Sequence, residues 1–406
     1  MSPWQEYRDA LQAGDLGRTS AVRAWLAAGG RAVAAAPAIA APYREIVYFD
    51  PLQPTAGAWR LALNEREELR VQVAGPANGT ARLFLDLLRW ERREWRSVAT
   101  LQQGSKLRYR VGEAGTHVLR IQPELPSGGR WTVTVVAGPR LIFPVEGADS
   151  GAIGGRFGDS RDDGRRSHEG VDIFAPRGTR ALAAADGWVS RINRTRLGGR
   201  VAWVETDDGL RLYYAHLKSW KVRAGERVRA GDVIGRVGST GNAKRRSPHL
   251  HFGVYDDGPV DPLAFLLQPA GRPAEVTSDL ALLGGWARVG ADHVSLHAGP
   301  SAGSPVRGGA FRHEALHVDG ATADWYRVRT ADGPVYVASR LLEGTDTPIR
   351  RLLLESRRAL RREPAPAAPI VAEVEAHASL EVLAEREEYL LVRRAAGERP
   401  AWLAIR

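Results

Sequence analysis

The chain has 406 residues, of which 44% are hydrophobic and 26% charged, a balance that predicts two to four folded, soluble domains. Its net charge of +10 favours an acidic partner such as an anionic envelope polymer, but no compact basic run with interleaved aromatic residues predicts nucleic-acid binding. Because cysteine is absent, disulfides and thiolate metal sites are excluded, and any metal must be held by His, Asp or Glu.

Residues 1–42 are predicted to be helical. The stretches WQEYRDALQAGDL and SAVRAWLAAGGRAVAAA precede Pro37 and Pro42, which end the segment. We expect a helical hairpin that packs on the next domain. No stretch reaches the roughly 18 apolar residues of a membrane-spanning helix. The start MSPWQEYRDA lacks the basic and apolar regions of an export signal, which we expect to have been trimmed from this sequence.

Residues 43–140 contain seven or eight short runs, mostly of alternating apolar and polar residues, separated by Gly, Pro and Asn. Examples are REIVYF, LRVQVAG and RWTVTVVAG. Such spacing is typical of an antiparallel β-sandwich. No catalytic set is apparent in it, so a structural or binding role is expected.

Residues 141–268 are also strand-rich, and they hold two histidine clusters. In SPHLHFGVY, His249 and His251 are two apart, so on a strand they face one side, while Leu250 and Phe252 face the core. In RRSHEGVDIF, Gly170 and the run VDIF favour a strand.

The even spacing of the upstream cluster places His168 and Asp172 on one side, with Val171 and Ile173 towards the core. Together with His251 they make a three-ligand set for zinc that leaves one position open. His216, in YYAHL, follows two aromatic residues on a predicted strand. Beside the two clusters, it becomes a candidate for proton transfer or oxyanion stabilisation.

Residues 141–268 resemble the lysostaphin/LytM-type zinc metallopeptidases, which cut peptidoglycan cross-bridges. The resemblance runs through FGDSRDDGRRSHEGVDIFAPRGTRALAAADGWV, YYAHLKSW, VRAGERVRAGDVIGRVGSTG and SPHLHFGVYDDGPVDPLAF. It implies that His168, Asp172 and His251 are zinc ligands and that His216 and His249 are the catalytic histidines. Some relatives of this kind have lost ligands and only activate other hydrolases, whereas all five residues are present here.

Two loops depart from the family pattern. NRTRLGGR, residues 193–200, carries TRL where the family often has a plainer glycine turn, and the arginine-rich KRRSP precedes the H-x-H pair. Both could alter substrate preference, and neither changes the five residues. HEALH at 313–317 has the HExxH spacing, but it lies in a predicted strand–turn region rather than on a helix, with no third ligand suggested nearby, and no Walker motif is present. We expect the other histidines to be surface or packing residues: His117, His293, His297, His313, His317 and His377.

The C-terminal region contains an internal repeat with an offset of 64 residues. LHAGPSAGSPV at 296–306 aligns with LRREPAPAAPI at 360–370, and WYRVRTADG aligns with YLLVRRAAG. The first copy resembles bacterial SH3-like domains, and the second resembles them less because Tyr389 replaces Trp325. We predict two small SH3-like β-barrels, at 275–345 and 348–406. Either wall binding or a spacer role fits them.

The sequence therefore predicts a mainly β protein: a short helical segment, a β-sandwich domain, a lysostaphin-type peptidase domain and two SH3-like barrels. The predicted function is a zinc-dependent endopeptidase that binds one Zn²⁺ and cuts the peptide cross-links of peptidoglycan in the periplasm or extracellular envelope. The alternatives are a catalytically silent wall-binding protein or hydrolase activator, and a metallopeptidase of ordinary proteins. The cross-link, the oligomeric state and the assignment of the general base stay open.

Overall fold

A computed structural model describes residues 1–13, 17, 19–65, 67–76, 82–101, 104–161, 163–266 and 271–405. Strands dominate these residues, which confirms the mainly β class. None of the helices in this described part of the chain has the length and apolar content needed to cross a membrane.

Two N-terminal helices, α1 (Pro3–Ala13) and α2 (Ser20–Ala34), pack on the following domain, as predicted. Thr19 caps α2 by accepting a hydrogen bond from the backbone of Val22. The stacked rings of Trp4 and Trp25 are 5.4 Å apart, and Trp4 Nε1 donates to Gln122 Oε1 at 2.7 Å. Indole burial with a satisfied N–H therefore fixes both helices to the strands.

The next eight strands form two facing antiparallel sheets with a shared apolar core, in agreement with the predicted sandwich. One sheet has the order β2-β7-β4-β5, and the other contains β1-β8-β3-β6. The strands are β1 (Tyr43–Phe49), β2 (Gly57–Leu63), β3 (Glu67–Ala74), β4 (Leu83–Glu91), β5 (Glu94–Thr100), β6 (Lys106–Arg110), β7 (Gly115–Pro123) and β8 (Gly129–Pro139).

The peptidase-like segment is built on a sheet with the order β18-β14-β15-β16-β20-β12-β9, and β21 pairs with β20. A three-stranded sheet, β13-β19-β17, and the hairpin β10-β11 complete it. Its elements are β9 (Ile153–Gly155), β10 (Ser160–Arg161), β11 (Arg166–Ser167), β12 (Val171–Phe174), β13 (Arg180–Leu182), β14 (Gly187–Thr195), β15 (Gly199–Thr206), β16 (Arg211–Ala215), β17 (Ser219–Trp220), β18 (Arg227–Val228), β19 (Val233–Arg236), β20 (His249–Tyr255), β21 (Pro259–Val260) and α3 (Leu263–Leu266).

The two ends of this segment lie side by side. The backbone N–H of Leu141 donates to the carbonyl of Phe265 at 3.1 Å. The segment also contacts the sandwich, because Arg140 and Arg110 both bind the Asp208 carboxylate, at 2.5 and 3.1 Å. Chain entering and chain leaving the segment therefore meet at the sandwich.

The C-terminal repeat appears in the structure as two sets of equivalent strands. β25 and β32, for example, start 64 residues apart and have the same length. The first set is β22 (Trp286–Val289), β23 (His293–His297), β24 (Val306–Phe311), β25 (Ala315–Thr322), β26 (Trp325–Thr330), β27 (Gly333–Ala338) and β28 (Leu342–Glu343); the second is β29 (Arg350–Leu353), β30 (Arg358–Arg361), β31 (Ile370–Val374), β32 (Ser379–Arg386), β33 (Tyr389–Arg393) and β34 (Ala401–Ala404).

The first of these modules shares a sheet with the sandwich. β25 pairs with β1 in antiparallel register, with Val47 opposite Gly320, and an 11-stranded sheet results. The buried Glu45 carboxylate beneath this joint accepts from Arg327 Nε at 2.6 Å. A Cβ at position 320 would collide with Glu45 Oε1, so glycine is required there. The sandwich and the first module are thus joined by both backbone pairing and a buried ion pair.

The two modules also pack on each other through an apolar interface. The rings of Trp286 and Trp402 are 4.7 Å apart, and Arg288 donates across the interface to the Leu383 carbonyl at 3.0 Å. The fully buried residues of this interface are Ala315, Leu383, Ala384, Leu391 and Trp402.

Candidate metal centre

Two neighbouring strands bring the predicted residues together. β12 and β20 are antiparallel, with Asp172 opposite His251 and Phe174 opposite His249. The apolar residues between them on each strand are fully buried, as predicted: Val171, Ile173, Leu250 and Phe252. The alternation of each strand therefore turns the polar side chains to one face, and the register places them side by side.

His168, Asp172 and His251 converge on one point. Asp172 Oδ1 lies 3.0 Å from His168 Nε2 and 3.0 Å from His251 Nδ1, and the two ring nitrogens are 2.8 Å apart. Within the described ranges, this is the one group of three or more His, Asp or Glu side chains spaced to hold a metal ion. His168 lies just before β12 rather than on it, because the strand begins at Val171.

The ring orientations make this a set of acceptors. His168 Nδ1 is 2.7 Å from the carbonyl of Arg156, which can only accept, so Nδ1 carries the proton and the Nε2 of a neutral ring presents its lone pair to Asp172. A lone pair, a carboxylate oxygen and a second imidazole nitrogen within contact distance repel one another unless a proton or a metal cation lies between them. The donor set thus fits a divalent metal bound by two imidazoles and one carboxylate.

The charge states agree with metal binding. Burial raises the pKa of the Asp172 carboxyl, but the adjacent imidazoles of His168 and His251 outweigh this effect and hold the pKa well below its usual range. Burial lowers the pKa of His251. At neutral pH, Asp172 is therefore ionised and His251 is neutral, which are the forms that coordinate a metal.

His216 and His249 lie beside this set. Their rings are 4.9 Å apart, and His249 Nε2 is 3.9 Å from Asp172 Oδ1. Each ring is fixed by a backbone carbonyl: His216 Nδ1 donates to Thr240 O and His249 Nδ1 donates to Ser247 O, both at 2.8 Å. The Nε2 atom of each neutral ring is left as a proton acceptor.

The expectation that His216 lies on a strand is wrong. β16 ends at Ala215, and His216 follows it with a left-handed backbone, φ 60°. Its N–H donates to the carbonyl of Gly198 at 2.8 Å, which ties it to the turn between β14 and β15. This turn, rather than strand alternation, directs the ring towards His249. Burial and the neighbouring His249 lower the pKa of His216 to about 4.

Aromatic side chains border the site. Phe174 is 41% exposed and its ring is 5.3 Å from that of His249. The Tyr213 ring lies edge-on to the His251 ring, with centroids 5.8 Å apart, and is tilted by 43° against the Trp203 ring at 4.6 Å.

The remaining histidines lie outside this centre. His117 is buried in the sandwich, where its Nδ1 contacts the Gly115 carbonyl, and His317 pairs with Asp319 at 2.8 Å. Four more are in the two C-terminal modules, outside the metal-spaced group: His293, His297, His313 and His377.

Sequence reasoning missed one side chain in the centre, Arg161. Its Nη2 is 3.0 Å from Asp172 Oδ2. The residue is seven positions before His168 in a turn-rich, arginine-rich stretch, and nothing in that spacing distinguishes it from its neighbours. The backbone carbonyls that orient the rings carry no sequence signal at all.

Comparison with known proteins agrees with this geometry. Residues 166–262 match the family described as Peptidase family M23, and residues 292–343 match the Bacterial SH3 domain family. The chain is 38% identical over 119 residues to the glycyl-glycine endopeptidase ALE-1 of Staphylococcus capitis, which covers 28% of this chain and 32% of that protein. It is 39% identical over 103 residues to DD-carboxypeptidase/endopeptidase Mpg of Neisseria meningitidis serogroup B, covering 25% and 23%.

Among solved structures, the catalytic domain of the antimicrobial peptidase lysostaphin from Staphylococcus simulans is 32% identical, with a TM-score of 0.26. That match covers 28% of this chain and 90% of the lysostaphin domain. The chain spans no more than a third of the length of the two curated relatives above.

Proposed function

We propose that this chain, which carries a peptidase family M23 domain followed by a bacterial SH3 domain, is a zinc-dependent endopeptidase that hydrolyses peptide cross-links of bacterial peptidoglycan. The observation that carries the proposal is the convergence of His168, Asp172 and His251 beside two further histidines with free Nε2 atoms. The names of the relatives, a glycyl-glycine endopeptidase and a DD-carboxypeptidase/endopeptidase, support wall peptides as the substrate class.

His168 Nε2, Asp172 Oδ1 and His251 Nδ1 would hold the metal. When bound, zinc would supply Lewis acidity, which lowers the pKa of a water towards about 7 and polarises a peptide carbonyl. The other two histidines handle the protons: the Nε2 of one accepts a proton from the attacking water and passes it to the leaving amine. The second stabilises the developing oxyanion once its Nε2 carries a proton, because its Nδ1 proton is already donated to a backbone carbonyl. Both rings are oriented for these roles by the carbonyls of Thr240 and Ser247.

Location and wall attachment belong to the same proposal. An enzyme acting on this substrate works in the periplasm or extracellular envelope. The net charge of +10 attracts it to anionic envelope polymers. The SH3-like modules keep the peptidase domain on the wall.

The test is the release of soluble peptides from purified sacculi by the full chain. We expect release by the zinc-loaded protein and none by His249→Ala protein or after chelation. His293→Ala, a histidine outside the centre, is the matched control and should act like the native protein. Release from casein but not from sacculi would favour a general metallopeptidase, and zinc binding without any hydrolysis would favour a silent activator.

A further inference from the structure

The guanidinium group of Arg161 is a further neighbour of the Asp172 carboxylate. The two oxygens of this carboxylate have separate partners: Oδ1 faces the nitrogens of His168 and His251, and Oδ2 faces Arg161 Nη2 at 3.0 Å. The Arg161 side chain is 24% exposed and that of Asp172 is 14% exposed, so the pair is largely shielded from solvent. A shielded, charge-assisted contact of this kind restrains the orientation of the carboxylate.

We infer that Arg161 is a positioning residue of the proposed metal centre, which holds Asp172 Oδ2 so that Oδ1 alone is offered as a ligand. A carboxylate free to rotate can offer both oxygens to one cation and fill the coordination position that a substrate or water needs. With Oδ2 held, the three protein ligands leave that position open. Outer partners of metal ligands set their orientation and affinity in this way.

The backbone around Arg161 is fixed relative to the ligands. Arg161 pairs with Arg166 in the β10–β11 hairpin. The Gly158 N–H donates to the His168 carbonyl, and the His168 N–H donates to the Asp159 carbonyl, both at 2.9 Å. The hairpin is therefore hydrogen-bonded directly to a ligand residue. Arg161 Nη2 also lies 3.1 Å from His168 Nδ1, but that nitrogen already donates to a carbonyl, so the carboxylate is the partner that matters.

Gly155 provides an independent observation. It lies opposite Asp172 in the β9–β12 pairing, and a Cβ there would be 2.7 Å from Asp172 Oδ2 and 2.9 Å from Arg161 Nη2. A methyl group at this position would occupy the space in which the two side chains meet. Glycine at position 155 therefore leaves the space in which Asp172 and Arg161 make contact.

The experiment measures zinc affinity of the metal-free full chain by competition with a chromophoric chelator, and the visible absorption spectrum after Co²⁺ is added. We expect Arg161→Gln and Gly155→Ala to weaken zinc binding by roughly 10- to 100-fold and to alter the Co²⁺ spectrum. Arg161→Lys, which keeps a cation, should recover part of the affinity. Arg165→Gln, at an exposed position on the same hairpin, is the control and should bind like the native chain.

Unchanged zinc affinity and Co²⁺ spectrum in Arg161→Gln would overturn the inference. The inference would also fail if Arg161→Gln lowered the unfolding temperature of the metal-free chain but left the zinc affinity of the folded protein unchanged. Arg161 would then contribute to folding alone. These outcomes differ from failure of the proposed function. If the native chain binds no zinc, the metal centre itself is wrong; if native and Arg161→Gln chains bind equally well, only the inference about Arg161 fails.

Discussion

Two buried carboxylates in this molecule have opposite surroundings. Glu45, at the joint between the sandwich and the first SH3-like module, accepts hydrogen bonds from three donors: Tyr43 Oη, Trp59 Nε1 and Arg327 Nε, each at 2.6 Å. Every one of these contacts pairs a donor with an acceptor. The Glu45 charge is balanced by Arg327, and protein groups satisfy its hydrogen bonds without water or an ion.

Asp172 differs because its neighbours include acceptors. The carbonyl of Arg156 accepts a hydrogen bond from His168 Nδ1. The Nε2 lone pair of a neutral His168 ring therefore faces Asp172 Oδ1. Burial alone therefore does not identify a functional carboxylate. A functional carboxylate is identified instead by the direction of the surrounding N–H and O–H groups. A carboxylate that accepts from donors on all sides stabilises the fold, whereas one that faces other acceptors needs a cation.

The largest expected effect comes from removing one of the converging acceptors. His251→Ala should abolish zinc binding and hydrolysis of sacculi, because two protein ligands do not hold the metal. The free energy of unfolding of the metal-free chain should fall far less than that of the zinc-loaded chain, because only the latter loses the stabilisation from bound metal. Zinc content by mass spectrometry and urea unfolding with chelator present measure the two quantities. A large loss of metal-free stability would show that His251 is a packing residue instead.

Removal of a proton-transfer histidine should lower the rate and spare the metal. We expect His249→Ala and His216→Asn each to reduce hydrolysis by about 10²- to 10⁴-fold at full zinc occupancy. Asparagine is chosen at 216 because it tolerates the left-handed backbone. Combining both changes should cost less than the product of the single losses if the two rings act in one step. Rates per bound zinc, measured on a soluble muropeptide, decide the outcome.

For Glu45, whose hydrogen-bond partners are all donors, we expect the opposite pattern: stability falls and zinc binding does not change. Glu45→Gln leaves Arg327 without its counter-charge in a buried position, which should lower the free energy of unfolding by roughly 3–5 kcal/mol. Zinc affinity of the folded protein should stay the same. Glu275→Gln, which removes an exposed partner of Arg44, is the control and should change stability by less than about 1 kcal/mol. Equal effects of the two variants would mean that the Glu45 cluster does not join the domains.

The smallest expected effect is a pH dependence of the metal-free chain. Burial and His249 depress the pKa of His216 to about 4 from 6.5, so the unfolded chain binds this proton and the folded chain does not. Stability from this group is complete above pH 6.5 and is lost as pH falls towards 4, by up to about 3 kcal/mol. His216→Asn should flatten that part of the stability curve, measured by urea unfolding at each pH. An unchanged slope would show that His216 titrates normally, despite its contacts with His249, His251 and Asp172.

The sequence predicted whatever depends on strand alternation. The spacing of His249 and His251 placed them on one face, and the structure agrees because Leu250 is fully buried between them. The position of His216 was not predictable in the same way. Its ring direction depends on a positive φ after the strand end, and nothing in the spacing of YYAHL indicates where that turn falls.

Contacts between distant segments were beyond sequence reasoning. Arg161 reaches Asp172 only because the hairpin folds back, and pairing of β1 with β25 joins residues about 270 positions apart, which alternation cannot reveal. A partial signal did exist at Glu45. In REIVYF it shares a strand face with Val47 and Phe49, both buried, so a charged residue on the core side was visible in the pattern.

The hydrogen bond between Leu141 and Phe265 places the two ends of residues 141–266 side by side. The segment is therefore an insertion between the sandwich and the first module, rather than one domain in a linear series. The chain leaves the sandwich after β8, completes the whole segment, and returns to pair β25 with β1 on the same scaffold. An insertion whose two ends touch can be exchanged for another without moving the flanking modules. In evolution or in the laboratory, residues 141–266 could be replaced while the sandwich and the C-terminal modules keep their arrangement.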